Sequence, residues 1–310
     1  MSVLRKGIGI LKRKGFKEFV KSGYLYFVQL DAVDKIITTL FDDVLYEKLN
    51  MYPLVGYWPQ IREPRSFNEK LAHRKLLTDN EKFTEVQDKW AVRDYVNERV
   101  GDEVLTEVYH VTDDPETIPF DELPEKFVVK PTHGCGWIEI VDDKSKADFE
   151  EIKEKCGEWL SKTFGQKQRE YWYKDIKPRI MVEEYIEGEN GGVPRDYKFF
   201  VFHGDIEFID IHFDRFGNRK RRFFDKDWNP MDFELNFPIG PAIDKPDNLE
   251  QMLKVAESIG EEFDFIRVDL YNPSGEEIKF GEVTVCQGSG RSRFQPKEAD
   301  FTLGGYWKIS

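Results

Sequence analysis

The sequence contains few cysteines and no long apolar segment. Its three cysteines, Cys135, Cys156 and Cys286, are far apart and form no C-x-x-C pair. Such a sparse, odd-numbered set indicates reduced thiols in a cytoplasmic compartment and argues against a disulfide-stapled secreted protein. No apolar run approaches the roughly 18 residues that a transmembrane helix needs. Lysines interrupt the first apolar positions, so no signal peptide is predicted.

The sequence also lacks the short motifs of several common enzyme classes. There is no G-x-x-x-x-G-K-[ST] and no G-x-G-x-x-G at the start of a helix, which excludes a P-loop and a dinucleotide-binding turn. H-E-x-x-H is absent and the five histidines are scattered, so no zinc site is expected. A G-x-S-x-G nucleophile elbow is missing, and Gly288-Ser289-Gly290 is too short to be one. The net charge of −13 argues against general nucleic-acid binding, which needs a basic surface.

The composition that remains is that of a globular protein. Hydrophobic residues make up 40% of the chain and charged residues 34%. Aromatic residues are frequent, and 25 of them are Phe, so a core rich in Phe is predicted. Residues 1–85 have helical patterns, and from Val104 onwards strands and helices mix without strict alternation. This order favours an α+β fold over a doubly wound parallel sheet.

Caps and periodicity predict individual elements. Ser66-Phe67-Asn68-Glu69 is a capping-box pattern that opens a helix. Further helices are predicted over residues 88–100, over 148–160 with Cys156 on the apolar face, and over 247–259 before Gly260. Strands are predicted at residues 179–182, 197–203, 205–213, 265–270 and 278–285, with a hairpin turn at 202–205.

The first 25 residues differ from the rest of the chain. They carry seven Lys or Arg residues and one acid, with apolar side chains between them. A basic amphipathic helix of this kind can lie on an anionic membrane. The alternative is a solvated helix packed on its own domain, and Gly7, Gly9 and Gly15 weaken a continuous helix. Both alternatives stay open from the sequence.

Two acidic residues on neighbouring strands are candidate ligands for a cation. Asp269 lies in FIRVDLY and Glu282 in KFGEVTV, on either side of a turn near residues 272–275. Carboxylates on adjacent antiparallel strands can face the same side and share a hard cation such as Mg²⁺. Acids on sheet faces are common, so the pair by itself is a weak signal. Both strands are otherwise apolar, and an inward carboxylate there needs a partner.

Lys130 is a candidate phosphate-binding residue. It ends the strand of KFVVKPTHGCGWIEIV, and Gly134 and Gly136 follow in a turn whose backbone N–H groups could approach the same anion. The alternative is an ordinary exposed lysine at a strand end. Two further segments are equally ambiguous alone: the acids of MVEEYIEGE, and a basic cluster that suggests a local anion site. The basic cluster comprises Arg215, Arg219, Lys220, Arg221 and Arg222.

The order of these segments is more specific than any one of them. It resembles the ATP-grasp superfamily, and most closely its teichuronopeptide-biosynthesis (TupA-like) branch, which is associated with cell-surface polysaccharides. The likeness is carried by RSFNEKLAHRKLL, DKWAVRDYV, KPTHGCG, KPRIMVEEYI, DYKFFVFHG, IRVDLYN and FGEVT. These motifs span residues 60 to 290. The resemblance implies an ATP-grasp fold of two α+β subdomains that clasp ATP, after a short helical N-terminal region.

The resemblance also implies where ATP binds. The nucleotide positions are Lys89 and Lys130 for the phosphates, Gly134, Cys135 and Gly136 for the loop that covers them, Glu183 with the backbone around Glu184 and Tyr185 for adenine, and Asp196 for the ribose. The predicted domains are residues 1–85, then 86–180 with the phosphate-binding loop, then 181–310 with the adenine, Mg²⁺ and acceptor sites.

The same resemblance implies the groups that act on the γ-phosphate and the metal. Lys198 and Arg215 match basic residues at the γ-phosphate, and Asp269 and Glu282 match Mg²⁺ ligands. Thr284 stands where the family usually has a third ligand, Asn, which leaves the second metal ion in question. His133 and Ser289 are predicted to contact the acceptor.

These positions predict a cytoplasmic ligase that could work at the inner face of the membrane. In the superfamily a carboxylate takes the γ-phosphate of ATP, and an amine then captures the acyl phosphate. Positioning and charge neutralisation suffice for phosphoryl transfer, which fits the lack of a protein nucleophile. A surface-polysaccharide precursor is the expected substrate. The alternatives are an ATP-dependent kinase acting on a sugar hydroxyl, and a glycosyltransferase or a non-catalytic assembly partner.

Overall fold

The computed structural model describes residues 20–24, 26, 41–188, 191–192, 194–213 and 218–309. Residues 20–24 are helical, but most of the predicted basic segment 1–25 lies outside the described residues, as does Arg215. Within the described part of the chain, none of the helices has the length and apolar character needed to cross a membrane.

Helices precede the first sheet and flank both sheets. In chain order they are α1 (Asp43–Val55), α2 (Phe67–Leu77), α3 (Lys82–Gln87), α4 (Val92–Val100), α5 (Phe149–Leu160), α6 (Leu249–Gly260) and α7 (Glu298–Tyr306). The capping box at α2 is confirmed, because the Glu69 amide donates to Ser66 Oγ and the Ser66 amide donates to the Glu69 carboxylate.

The predicted helix over residues 88–100 is wrong at its start. Helix α4 begins only at Val92. The Asp88 carboxylate accepts a hydrogen bond from the Trp90 amide at 2.9 Å, and this local turn competes with helical bonding. The break separates α3 from α4 and sets Lys89 in a turn between them.

The strands form two antiparallel sheets and a short third pair. They are β1 (Val108–Thr112), β2 (Phe127–Pro131), β3 (Glu139–Val141), β4 (Ile180–Glu184), β5 (Arg195–Phe202), β6 (Asp205–Phe213), β7 (Lys220–Asp225), β8 (Pro230–Met231), β9 (Glu234–Leu235), β10 (Ile266–Asn272), β11 (Lys279–Thr284) and β12 (Phe294–Gln295). The orders are β1-β4-β2-β3, β11-β10-β5-β6-β7-β8 and β12-β9. The α+β expectation is therefore confirmed.

The two sheets pack on separate apolar cores, and the six-stranded sheet is buried on both faces along β5. In the four-stranded sheet, Phe127, Val129, Ile180 and Val182 pack on α5 around Cys156, which is fully buried, as its position on the apolar face predicts. The six-stranded sheet packs on a larger core, and the predicted reliance on Phe is confirmed there. Its fully buried aromatic side chains include Phe67, Phe199, Phe200, Phe202, Phe208, Phe223, Phe224, Phe265 and Trp307.

Strand alternation places charged side chains on the facing sides of the two sheets, Lys130 and Glu183 on one and Arg267 and Glu282 on the other. Successive side chains of a strand point to opposite sides, so Val128 and Lys130 share the face that Phe127 and Val129 do not. Strand β4, which begins at residue 180, pairs with β1 and β2 in the four-stranded sheet. The domain boundaries at residues 85 and 180 stay a prediction.

Candidate functional site

A cavity of about 410 Å³ lies between the two sheets. The four-stranded sheet contributes Lys130, Met181 and Glu183 to its lining, and the turn before α4 contributes Lys89. The six-stranded sheet contributes Arg267 and, from β11, the segment from Phe280 to Thr284. The cavity thus gathers chemistry-bearing side chains that the sequence separates by up to about two hundred positions.

The wall formed by the four-stranded sheet carries an ion pair. Lys130 lies in register with Met181, and Glu183 with Val128, so both charged side chains emerge on the cavity face. Lys130 Nζ pairs with Glu183 Oε1, and both side chains are largely buried. Thr106 Oγ1 donates to Glu183 Oε2 at 3.0 Å. The lysine therefore faces the cavity and is not the exposed strand-end residue of the alternative interpretation.

Lys89 joins Lys130 at the same wall. Its ammonium donates to the Gly134 carbonyl, and its backbone N–H donates to the Thr132 carbonyl at 3.1 Å. Desolvation by the cavity walls lowers the pKa of Lys89; the charge of Glu282 opposes this, and that of Lys130 adds to it. Two cations are thus held close together, an arrangement suited to a polyanion.

The loop over these lysines depends on its glycines. A Cβ on Gly134 would lie 2.6 Å from the ring of Trp137, and Gly136 has φ +74°, in the left-handed region that favours glycine. Cys135 between them lines the cavity. The predicted phosphate-covering residues therefore form a tight turn beside Lys89.

The opposite wall brings the two predicted acids together. Asp269 and Glu282 are register partners on β10 and β11, and Arg267 is the partner of Thr284. A β-bulge follows Asp269, so Phe280, Gly281 and Glu282 all line the cavity. Bulges re-aim side chains in this way beside active sites.

Arg267 connects the acids. Its guanidinium donates to both oxygens of Asp269, at 2.6 and 2.7 Å, and to Glu282 Oε1 at 3.0 Å. Sequence reasoning missed Arg267 as a site residue, although it stands in the RVDLY motif. Its position two residues before Asp269, on the same strand face, was the available signal.

Lys198 and Asp196 lie beneath this wall. Lys198 Nζ pairs with Asp269 Oδ2 and donates to Asp196 Oδ2 at 2.6 Å, and all three side chains are at most 5% exposed. Burial alone would raise the pKa of the Asp269 carboxyl, but Arg267 and Lys198 outweigh burial and hold it below its ordinary value. Neither Lys198 nor Asp196 lines the cavity, so their predicted contacts with phosphate and ribose stay predictions.

The acids and Thr284 match Mg²⁺ in ligand type. Mg²⁺ takes one or two protein carboxylates and completes its shell with phosphate and water oxygens. Glu282 is 34% exposed and open to the cavity, whereas Asp269 is 3% exposed and held by two cations. Across the residues that the structure describes, no group of three or more His, Cys, Asp or Glu could hold a metal ion. Glu282 and Thr284 line the cavity and Asp269 does not, so a metal here would take most of its ligands from a nucleotide and water.

A second, smaller pocket of about 110 Å³ adjoins the cavity and shares Lys130, Glu183 and Phe280 with it. Its lining is mainly apolar and aromatic. The residues that line this pocket but not the larger cavity include Val128, Ile138, Ile140, Glu184, Tyr185, Ile186 and Tyr271. An apolar pocket with a few polar groups in its lining suits a heterocyclic base. The residues predicted to meet adenine are thus together here.

The two residues guessed as acceptor contacts lie apart. Ser289 lines the cavity. His133 does not line it; its ring nitrogen Nε2 lies 3.0 Å from the Trp159 carbonyl, and burial lowers the pKa of its imidazole. Of the basic cluster, Arg221 is buried in β7 and binds Asp210, so this member is not open to an anion.

Solved structures with similar backbones include several ligases. The D-alanine–D-alanine ligase of Bacillus anthracis complexed with ATP has 17% identity and a TM-score of 0.43, over 66% of this chain and 56% of that one. The L-amino acid ligase of Bacillus licheniformis has 15% identity and a TM-score of 0.45, over 72% and 49%. The ATP-grasp ligase PsnB, complexed with a phosphomimetic variant of its minimal precursor, Mg and ADP, has 13% identity and a TM-score of 0.41, over 89% of this chain and 72% of that one.

With TM-scores below 0.5, these likenesses carry no argument about the activity of this chain. The chain also spans only 56% of the length of the first of them. Among the curated proteins no match was found. A family model described as TupA-like ATPgrasp, however, matches residues 69–308, about three quarters of the sequence. The resemblance of the motifs is thereby confirmed, and the chain belongs to the TupA-like ATP-grasp family.

Proposed function

We propose that the protein is an ATP- and Mg²⁺-dependent ligase that activates a carboxylate as an acyl phosphate and joins it to an amine. The observation that carries the proposal is the arrangement across one cavity. Lys89 and Lys130 stand on one wall, and Arg267 and Glu282 on the other. Phosphoryl transfer needs chiefly this kind of positioning and charge neutralisation.

Each group then has a proposed role. Lys89 and Lys130 bind the phosphates, the Gly134–Gly136 turn covers them, and the apolar pocket beside Tyr185 takes the adenine. Arg267 neutralises charge at the phosphoryl group that moves. Mg²⁺ would be held by Glu282, Asp269 and Thr284, where it would neutralise negative charge on the phosphates.

The substrates of this ligase are part of the proposal. We expect a uronic-acid or amino-acid carboxylate on a cell-surface polysaccharide precursor, on the strength of the family likeness. ATP and such precursors meet in the cytoplasm, and contact of residues 1–25 with the inner face of the membrane stays a prediction.

Nucleotide binding is tested first, by calorimetric titration of the full chain with Mg²⁺-ATP. Lys130→Met should raise the Kd roughly 10- to 150-fold, since a hydrogen bond to a charged group is worth about 1.5–3 kcal/mol. Lys162→Met, which removes an exposed lysine paired with Glu158, is the matched control. Equal Kd values for the two variants would contradict the proposed phosphate contact.

The reaction is tested by ADP release with panels of uronic and amino acids, with and without amines. Release that needs both a carboxylate and an amine supports the ligase. Phosphorylation of a sugar hydroxyl, with no amine required, would replace it with a kinase. A wild-type chain that neither binds ATP nor releases ADP with any pair refutes the nucleotide site altogether.

A further inference from the structure

At one end of the cavity lie four charged side chains and one serine that none of the proposed nucleotide roles uses. They come from distant segments: Glu47 of α1, Lys75 of α2, Glu170 before a short 3₁₀ helix (Tyr171–Asp175), and Ser289 and Arg291 near the C-terminus. Glu170, Ser289 and Arg291 line the cavity. We name these five residues the charged end.

Within the charged end, one carboxylate, that of Glu47, pairs with both cations. Lys75 Nζ lies 2.9 Å from Glu47 Oε1, and both side chains are fully buried. Arg291 donates from Nε and Nη2 to the two oxygens of the same carboxylate, at 2.8 and 2.7 Å. Lys75 also donates to the Ser289 carbonyl and hydroxyl, at 2.8 and 2.9 Å. The cations are therefore committed to Glu47 and Ser289.

Glu170 is left as a carboxylate that faces the cavity. It is 8% exposed, and within the described part of the chain no ion pair joins it to a lysine or arginine, whereas Glu47 has two. Burial raises the pKa of the Glu170 carboxyl, while Lys75, the Ser289 hydroxyl and Arg291 oppose the rise and Glu47 adds to it. A buried carboxylate without an ionic partner is costly, and such groups mark functional sites.

The backbone at this end is also constrained. Arg169 and Ser289 have φ of +62° and +56°, which few non-glycine residues adopt. Arg169 is fixed there by Asp43 of α1, whose carboxylate accepts from its Nε at 2.8 Å, and its guanidinium stacks on Tyr46. Strained backbone held by its surroundings is typical of ligand-binding sites. Helix α1 thus positions the segment that carries Glu170.

We propose that Glu170 and Ser289 form the subsite for the amine substrate, where the Glu170 carboxylate binds the ammonium group and removes one of its protons. The proposal rests on the ligase function proposed above. A primary amine suits this end because Lys75 and Arg291 are both paired with Glu47, whereas the Glu170 carboxylate lines the cavity and has no ion pair within the described residues. A carboxylate substrate, being an anion, would be repelled by Glu170 here and attracted by Lys89, Lys130 and Arg267 elsewhere in the cavity.

The step balances as follows. Glu170 takes one proton from the ammonium group, and the nitrogen lone pair then attacks the acyl carbon of the acyl phosphate. The bond between that carbon and the phosphate oxygen breaks, and the second proton leaves with inorganic phosphate. The products are an amide, hydrogen phosphate and protonated Glu170, which returns its proton to water.

The test compares two nucleophiles in the full chain with Mg²⁺-ATP and a carboxylate on which the wild type releases ADP. Hydroxylamine is uncharged at neutral pH, needs no base and traps an acyl phosphate as a hydroxamate. An amino acid arrives as an ammonium ion. For Glu170→Gln we expect amide formation to fall about 100-fold or more at neutral pH, within the range of general-base catalysis. Hydroxamate formation should fall far less, and the amide rate should recover as pH rises toward the pKa of the amine.

Controls separate this role from a structural one. Ser289→Gly removes the hydroxyl at a backbone conformation that glycine accepts, and should raise KM for the amine more than it lowers kcat. Glu158→Gln, an exposed glutamate on α5, should change neither rate. Melting temperature and ATP affinity are measured for every variant.

The outcomes distinguish the two proposals. If Glu170→Gln forms amide and hydroxamate in the wild-type ratio, or loses both equally at all pH values, the amine subsite is wrong while the ligase stands. If the wild type forms neither product with any carboxylate, the proposed function fails and the subsite fails with it.

Discussion

Replacing Glu47 by glutamine should lower the stability of the protein far more than a typical substitution of an acid. The Glu47 carboxylate is fully buried and accepts three hydrogen bonds, one from Lys75 and two from Arg291. Glutamine keeps the shape of the side chain but removes its charge. Two cations would then remain near the protein interior without their counterion.

The size of the effect follows from the burial. Removing one partner of a buried ion pair costs about 3–5 kcal/mol. At about 2.1 cal/mol/K per residue, the unfolding entropy of a chain of 310 residues is about 0.65 kcal/mol/K. Glu47→Gln should therefore lower Tm by about 5–8 °C.

The assay is thermal unfolding at neutral pH, followed by circular dichroism, with Glu158→Gln as the control. Glu158 pairs with Lys162 one turn away on the surface, where ion pairs contribute little, so its Tm should stay within about 1 °C of wild type. A fall of less than about 1.5 °C for Glu47→Gln would refute the reasoning, since it would mean that the cations do not depend on this carboxylate.

The same carboxylate predicts a pH dependence. Burial by itself would raise the pKa of Glu47, but Lys75 and Arg291 outweigh it, and the pKa lies below the ordinary value. The folded state therefore holds this proton more weakly than the unfolded chain does. The stabilisation that Glu47 contributes is complete above the ordinary carboxyl pKa of the unfolded chain. It is lost as the pH falls through the lowered pKa of Glu47 in the folded state. The Tm gap between wild type and Glu47→Gln should narrow in acid, and a constant gap would contradict this assignment.

Two further predictions concern the cavity. Asp269→Asn should lower Tm because two cations depend on that buried acid, whereas Glu282→Gln, at a side chain 34% exposed, should leave Tm nearly unchanged. Both variants should weaken binding of Mg²⁺-ATP in calorimetric titration. Equal Tm shifts for the two variants would contradict the argument from burial. Gly134→Ala should weaken ATP binding, because its Cβ would meet the Trp137 ring at 2.6 Å. Gly157→Ala in α5 is the control, since its Cβ meets nothing within 4 Å and ATP affinity should stay unchanged. Unchanged ATP affinity in both variants would show that the loop is dispensable.

Local patterns predicted much of the fold. The capping box at Ser66, the amphipathic helix around Cys156 and the hairpin after Phe202 depend on neighbours a few residues apart, and all three are present. Where a side chain competed with the expected pattern, prediction failed. The Asp88 turn delayed the start of α4, and the basic residues read as an anion site include Arg221, which is buried on β7 against Asp210.

The sequence by itself determined which residues share a strand face and which family the motifs resemble. Alternation along β2 was enough to put Lys130 on the face opposite Phe127 and Val129, and the spacing between Asp269 and Glu282 was enough to suggest adjacent strands. These are consequences of local geometry and of a short connection between strands.

Only the tertiary structure decided how the walls of the cavity face each other and what closes its far end. Glu47, Glu170 and Arg291 stand in no motif, and Lys75, although it lies in RSFNEKLAHRKLL, had no predicted role there. They meet because α1 and α2 pack against the segments around residues 170 and 290. Contacts across more than a hundred positions depend on the packing of the whole chain, and no periodicity within a segment encodes them.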